Sequence, residues 1–255
     1  MNIQSIKIGF LAALAIAGVG CGTKEAPGPL EPTGTTGRVR FVNLVTDPAR
    51  NPVNAILEGV PFGAGLVYTA SAPASLPSPA TAIYSAILTG DRSLVLKKTT
   101  DTNVTVATIT FTIATGEDRT VYATGGTGGA AVTSFVTTDA NPVPTSSQVE
   151  LRIVNMSPSA GALDYFVTAP NADLSTATPV ATNLAYQGVS PYLVLAPGTY
   201  QVRALPAGTA PAARAAGVSM TIDNLALAGG TGRTVVTADR ATGGTPLTAF
   251  VLTDR

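Results

Sequence analysis

The chain repeats itself, and this repeat limits the folds that its 255 residues can adopt. Four short patterns occur twice, in the same order along the chain. They are VRFVN at Val39–Asn43 and LRIVN at Leu151–Asn155, a Tyr six residues before a Gly at Tyr84 and at Tyr192, RTVYA at Arg119–Ala123 and RTVVT at Arg233–Thr237, and TSFVTTD at Thr133–Asp139 and TAFVLTD at Thr248–Asp254. The repeat predicts two copies of one domain, at 38–140 and 148–255, joined by a Pro- and Ser-containing linker at 141–147.

Within each copy, apolar and polar residues alternate with the period of a β-strand. Val149, Leu151 and Ile153 point one way, whereas Glu150 and Arg152 point the other. One apolar face and one solvated face are typical of an antiparallel sheet that packs on a second sheet. With about seven strands and many Gly and Pro turns in each copy, the sequence predicts an all-β protein. It would consist of two tandem immunoglobulin-like antiparallel β-sandwich domains after an N-terminal signal segment.

The first twenty residues have the parts of an export signal. A short polar segment with one Lys precedes an uncharged apolar run, Ile8–Gly20, which is too short to span a bilayer. Cys21 follows, and it is the only cysteine in the chain. Because Gly18–Cys21 resembles a bacterial lipobox, we predict a lipoprotein-type signal peptide at 1–20 and lipidation of the Cys21 thiol. Cleavage after Ala17 by the ordinary signal peptidase is the alternative.

Residues 21–37 are rich in Gly, Pro and Thr and have no periodic apolar pattern, so we predict that they form a tether. Several acyl chains on Cys21 would hold the protein stably on a membrane. We therefore expect an exported, membrane-anchored lipoprotein of the bacterial cell envelope. The sequence leaves open whether it lies on the outer membrane, on the periplasmic side or on the cell surface.

The composition argues against nucleic-acid binding and against most catalytic machinery. Lys plus Arg and Asp plus Glu number 15 each, so no basic excess is available to neutralise phosphates. The chain has no His and no Trp, and its one Cys is assigned to the lipid. Ser-His and Cys-His catalysis and His/Cys zinc sites are thereby excluded. We expect no enzyme activity, no cofactor and no nucleic-acid partner.

The second copy resembles a known bacterial family. Its opening strand ends in Asn155, a Ser-Pro turn runs from Ser157 to Asp164, and the hairpin YLVLAPGTY occupies Tyr192–Tyr200. This combination over 149–255 resembles the family called domain of unknown function 4397, and the first copy looks like a degenerate version of it. The resemblance implies extracytoplasmic, often lipidated β-sandwiches, frequently in tandem. It implies no established activity, cofactor or catalytic residue.

Two groups of residues are candidates for binding. Tyr165, Tyr186, Tyr192 and Tyr200 of the second copy could form a half-exposed aromatic surface, although packing in the core is the favoured interpretation of these tyrosines. Asp139, beside the linker, is a candidate calcium ligand between the domains. Apart from this possibility, the sequence predicts no metal site.

The function that the sequence favours is a non-enzymatic envelope lipoprotein that acts as a binding or structural module. Its partner would be an unknown envelope protein or a glycan, in addition to the membrane that holds the lipid anchor. An extracellular glycan-binding module, which would use loops and tyrosines of the second copy, is the alternative. A hydrolase that works with carboxylates alone is a third hypothesis, and it requires two facing acids in a cleft.

Overall fold

The computed structural model describes residues 34–73 and 83–254, and nearly all of their regular structure is β-strand. The first sandwich contains β1 (Thr36–Val45), β2 (Val53–Leu57), β3 (Val60–Leu66), β4 (Ser71–Ala72), β5 (Ser85–Leu88), β6 (Gly90–Lys98), β7 (Asp101–Ile113), β8 (Asp118–Gly125) and β9 (Val132–Asp139). The second contains β10 (Val149–Asn155), β11 (Leu163–Thr168), β12 (Ala181–Leu184), β13 (Gly188–Val189), β14 (Leu193–Leu195), β15 (Gly198–Pro206), β16 (Met220–Leu227), β17 (Thr231–Ala238) and β18 (Thr248–Thr253). Short 3₁₀ turns lie at Thr127–Gly129 and Pro211–Ala213.

The predicted signal peptide, Cys21 and most of the predicted tether lie outside the described residues. The last two tether residues do not belong to a tether, because β1 begins at Thr36. Thr36 and Gly37 pair with Leu88 and Ile87 of β5.

The two sandwiches have the same strand order. Each sandwich has an outer sheet, with the order β3-β2-β6-β7 in the first and β12-β11-β15-β16 in the second. The outer sheet packs on a second sheet, which we call the facing sheet. Its order is β4-β1-β8-β9 in the first sandwich, where β5 also pairs with β1, and β13-β10-β17-β18 in the second, where β14 also pairs with β10. The prediction of an all-β chain of two sandwiches is confirmed. In the described residues each sandwich contains nine strands, whereas about seven were predicted. The short strands that pair along one edge of β1 and of β10 are too brief to show a periodic pattern in the sequence.

One strand pair in each sandwich is parallel. β1 runs alongside β8, and β10 runs alongside β17, in the same direction, whereas the other pairs described are antiparallel. A parallel pair needs a long crossover connection. Here all four strands of the outer sheet lie in the connection between the two parallel strands. The first strand of each sandwich lies in the middle of its facing sheet.

Each sandwich has its own apolar core between its two sheets. Phe41, Leu94 and Val121 belong to the first core, and Leu151 and Val235 belong to the second, and none is more than 1% exposed. Along a strand, every second residue points into the core, as Val39 and Phe41 do in β1 and Leu151 and Ile153 do in β10. Each core is therefore supplied by one face of each of its two sheets.

The outer sheets of the two sandwiches differ in what covers them. In the first sandwich the connections β2–β3 and β6–β7 are two-residue turns, whereas residues 169–180 and 207–219 form the corresponding connections of the second. These longer connections build a small apolar cluster around Phe166, Leu174 and Leu205. The Arg214 guanidinium lies 4.9 Å from the Phe166 ring centroid and donates to the Leu174 carbonyl at 3.0 Å. The outer sheet of the second sandwich is thus partly buried.

Candidate functional site

The facing sheets of the two sandwiches pack on one another, so that the four sheets stack as outer, facing, facing and outer. Side chains on both facing sheets form one apolar cluster. The fully or nearly fully buried members come from both sandwiches: Val42, Leu44, Tyr122, Val154, Met156, Val236, Ala238 and Leu252. We call this contact the joint. An apolar centre of this kind excludes water and holds two domains in a fixed arrangement.

Two ion pairs cross the joint beside this apolar cluster. Arg152 Nη1 of β10 lies 2.8 Å from Asp139 Oδ1 at the end of β9, and Arg40 Nη2 of β1 lies 3.0 Å from Asp254 Oδ1 just after β18. All four side chains are at most 3% exposed. The pairs are reciprocal, because each sandwich gives an arginine from its first strand and an aspartate from the end of its last strand.

Hydroxyl groups from the neighbouring strands add hydrogen bonds to these charges. Thr120 accepts from Arg40 Nε at 3.1 Å and donates to Asp139. Its counterpart Thr234 accepts from Arg152 Nε at 3.2 Å and donates to Asp254 at 2.6 Å. Buried carboxylates that receive several such bonds are compensated for the loss of water.

A tyrosine lies against each buried arginine. The Arg40 guanidinium carbon is 4.6 Å from the centroid of the Tyr84 ring, and that of Arg152 is 5.0 Å from the Tyr192 ring. These are cation–π distances. Tyr84 also donates its hydroxyl proton to Asp139 at 2.8 Å. The Tyr/Gly spacing that marks the repeat thus places equivalent tyrosines at the same joint.

The electrostatic environment fixes the charges of this cluster. Burial acts to lower the pKa of the Arg152 guanidinium, but the attraction of Asp139 and other nearby groups outweighs it, so the pKa lies above its ordinary value. The same balance raises the pKa of Arg40. Burial raises the pKa of Tyr84 and of Tyr192 well above the usual range. All four pKa values are thus shifted away from neutral pH rather than toward it.

The linker is attached to both sandwiches. The Asn141 side chain donates to Asp118 of the first sandwich at 2.5 Å and accepts from the Tyr192 hydroxyl of the second at 3.2 Å. Farther along, the Thr145 carbonyl accepts from the Gly230 amide at 3.1 Å. The linker therefore follows a defined path that supports the joint.

The four tyrosines proposed as a binding surface do not share one location. Tyr165 is 0% exposed in the core of the second sandwich, as the favoured interpretation of these tyrosines expected, and it is not part of an exposed surface. Tyr200 packs at the edge of that same core and donates to the Ala196 carbonyl. Tyr186 and Tyr192 both lie at the joint, where the Tyr186 hydroxyl shares a hydrogen bond with Thr133 of the other sandwich.

The solvated strand face predicted for Arg152 was also wrong. Arg152 and Arg40 are each 2% exposed, because a second facing sheet covers the face that a lone sandwich would present to water. The sequence did contain a sign of this arrangement. Both copies have an Arg in the first strand and an Asp at the end of the last strand, so the repeat places a cation and an anion at equivalent positions of each copy.

No metal site is found in the described parts of the chain. Across residues 34–73 and 83–254, no three His, Cys, Asp or Glu side chains are grouped to hold a metal ion. The Asp139 carboxylate, considered as a calcium ligand, instead accepts from Tyr84 and Thr137 and pairs with Arg152. Within the same residues, no helix has the length and apolar character needed to cross a membrane.

Two tyrosine-to-phenylalanine changes at the joint should have opposite effects. Tyr122 is fully buried and its hydroxyl has no hydrogen-bond partner in the described residues, so Tyr122→Phe should raise the free energy of unfolding by about 1 kcal/mol. Tyr84→Phe, the matched control, removes a bond to a carboxylate and should lower it by about 1.5–3 kcal/mol. Urea unfolding measures both, and a loss of stability in Tyr122→Phe would show that its hydroxyl is paired.

Comparison with solved structures finds distant likenesses. A carbohydrate-binding module of Eubacterium rectale Amy13K (CBMbc, family CBM26), solved with maltoheptaose, is 11% identical, with 84% of this chain and 96% of that chain covered and a TM-score of 0.25. A leucine-rich repeat protein from Bacteroides thetaiotaomicron VPI-5482 is 12% identical, with 81% of this chain and 26% of that chain covered and a TM-score of 0.18. TM-scores this low support no conclusion about function.

Comparison with curated proteins finds no match. A family model, however, matches residues 37–166. This range covers the first sandwich, the linker, β10 and part of β11, whereas the sequence resemblance was noted in 149–255 and the first copy was taken as degenerate. Because the match covers slightly more than half of the chain, the protein belongs to the family described as Domain of unknown function (DUF4397).

Proposed function

We propose that the protein is a lipid-anchored, non-catalytic module of the bacterial cell envelope, in which the two sandwiches act as one rigid binding or structural unit. The observation that carries the proposal is the buried pairing of Arg152 with Asp139 and of Arg40 with Asp254 across the joint. Domains of one chain usually move relative to each other unless their interface is large and apolar. Here an apolar cluster and compensated charges both oppose such motion.

The use of the charged groups supports a role without catalysis. The four buried charges at the joint neutralise one another, and the pKa values of both arginines are raised rather than moved toward neutrality. The chain has no His, which is the most common general base in proteins. A structural use of the buried ionisable groups agrees with a module that binds or spaces other molecules.

The position of the first strand supports display from a membrane. The segment between Cys21 and Thr36 is short and rich in Gly, Pro and Thr. It leads into β1, in the middle of a facing sheet. An anchor at Cys21 would therefore hold both sandwiches near the membrane surface through one short connection.

Replacement of the proposed lipid site tests this function. Cys21→Ser removes the thiol that would carry the diacylglyceryl group, so the protein should move from the membrane fraction to the soluble fraction while the sandwiches keep their fold. Cell fractionation and the intact mass of the membrane-extracted protein measure the outcome. Thr23→Ser is the matched control and should stay with the membrane. A mature chain that begins at Gly18 with an unmodified thiol would contradict the proposal.

The same soluble Cys21→Ser protein distinguishes the two classes of partner. On a glycan array we expect no specific signal, which leaves an envelope protein as the partner. Reproducible binding to one glycan class would favour the alternative function of a glycan-binding module. Proximity labelling in the native cell then identifies which envelope components lie within reach of the tether.

A further inference from the structure

The two surfaces that meet at the joint are near-copies of each other. Both carry a first-strand Arg, a Thr beside it, a terminal Asp, a Phe on the last strand and two tyrosines from the connecting segments. The equivalent pairs are Arg40 and Arg152, Thr120 and Thr234, Asp139 and Asp254, Phe135 and Phe250, Tyr84 and Tyr192, and Tyr68 and Tyr186. Each surface therefore carries both halves of the ion pair that joins it to the other.

The contacts across the joint are reciprocal in the way that a twofold axis requires. Arg40 of the first sandwich donates to the carbonyl of Thr253 at 2.7 Å, and Arg152 of the second donates to the carbonyl of Thr138 at 3.5 Å. At the other end, Tyr68 donates to the Asp239 carbonyl of the second sandwich, and its equivalent Tyr186 shares a bond with the Thr133 hydroxyl of the first, so both tyrosines reach across the joint but to different strands. Such exchange of equivalent contacts defines an isologous interface, which is the usual interface of a homodimer.

We propose that the surface of each sandwich at the joint recognises the other sandwich without the help of the linker, so that its partner can come from a second copy of this chain. Two chains would then pair crosswise, the first sandwich of one on the second sandwich of the other. Each surface carries one positive and one negative buried charge, and only a partner with the same pattern in the twofold-related arrangement neutralises both.

The differences between the two surfaces favour the mixed pair over two like sandwiches. Tyr122 of the first surface stands where the second has Val236, and both lie in the apolar cluster. Two first sandwiches would bring two tyrosines into that cluster and overfill it, and they would also place the polar Thr137 where the mixed pair has Leu252 of the second surface. The surfaces therefore select a first sandwich with a second one, whether or not both belong to the same chain.

Cleavage of the linker in the folded full chain tests this recognition. In the Cys21→Ser protein, a protease site replaces the exposed residues 145–147, and the cut halves should stay together on gel filtration. One batch of cut protein carries a mass tag and a second batch does not. The two batches are unfolded in urea, mixed and refolded. Native mass spectrometry should then show complexes in which one half is tagged and the other half is untagged. The complexes should contain one first and one second sandwich, and pairs of like sandwiches should be rare.

Charge reversal at the joint provides the control. Arg152→Asp should weaken the association of the cut halves by at least about 30-fold, because it sets two carboxylates against each other in a buried site. Adding Asp139→Asn removes one of the two opposed carboxylates while keeping an acceptor for Tyr84 and Thr120, and it should recover part of that loss. Separation of the unaltered halves after cleavage, or pairs of like sandwiches as abundant as mixed pairs, would overturn the proposal.

Discussion

Arg152→Ala is expected to lower the free energy of unfolding by about 3–5 kcal/mol. The change leaves the Asp139 carboxylate, which is 0% exposed as a side chain, without its closest cation in a site that water does not reach. Asp139 keeps Arg40 at 3.9 Å as a more distant cation, but breaking a buried pair still costs far more than the small net contribution of a surface ion pair. Urea unfolding followed by circular dichroism measures the loss.

Its control and a second measurement make this prediction specific. Arg240→Ala removes an exposed arginine whose bond is to the carbonyl of Gly243 in its own loop, and it should change stability by less than about 0.5 kcal/mol. In the Arg152→Ala protein, the further change Asp139→Ala should lower stability by less than it does in the unaltered chain, since the pair is already broken. A double variant that is less stable than Arg152→Ala by the full cost of Asp139→Ala would show that the pair is not coupled.

Phe41→Ala should cost about 3–5 kcal/mol and should destabilise both sandwiches together. Phe41 is 0% exposed in the first core, and its removal leaves a cavity that neighbouring strands cannot close. Because the joint couples the sandwiches, the unaltered chain should unfold in one transition, and Phe41→Ala should shift that single transition to lower urea. Hydrogen exchange of amides in β15 and β17 reports on the second sandwich.

Val143→Ala is the control for Phe41→Ala. Val143 lies in the linker and is 76% exposed, so its truncation should leave stability unchanged. If Phe41→Ala instead produced two separate transitions, with amides of the second sandwich as protected as before, the joint would not transmit stability between the sandwiches.

The sandwiches could be predicted from the sequence because their information is local. Alternating residues such as Val149, Leu151 and Ile153 mark the inner face of a strand, and two ordered copies of the same patterns indicate two similar units. The short edge strands β4 and β13 could not be predicted, since two residues carry no period. The parallel pairing of β1 with β8 depends on contacts distant in sequence, which an alternating pattern does not encode.

The joint was missed for a different physical reason. A period-two pattern separates the two faces of a strand, but it does not show whether the polar face meets water or another protein surface. Arg152 therefore looked solvated, although Asp139 of the other copy compensates its charge at 2.8 Å. Among the four candidate tyrosines, the pattern likewise did not separate Tyr165, which is buried inside a sandwich, from Tyr192, which lies between two.

The parallel pairing of the first strand has a consequence for mechanical force. A pull through a membrane anchor would reach the fold at Thr36 and load β1 along its own axis. β1 pairs with β8 from Arg38 to Val45 and with β5 and β4 on its other side. A load along the strand shears these hydrogen bonds together rather than peeling them one at a time. The hydrogen bonds of β1, the strand nearest the tether, would therefore bear the force together. The first sandwich should resist unfolding when it is pulled from its N-terminal end.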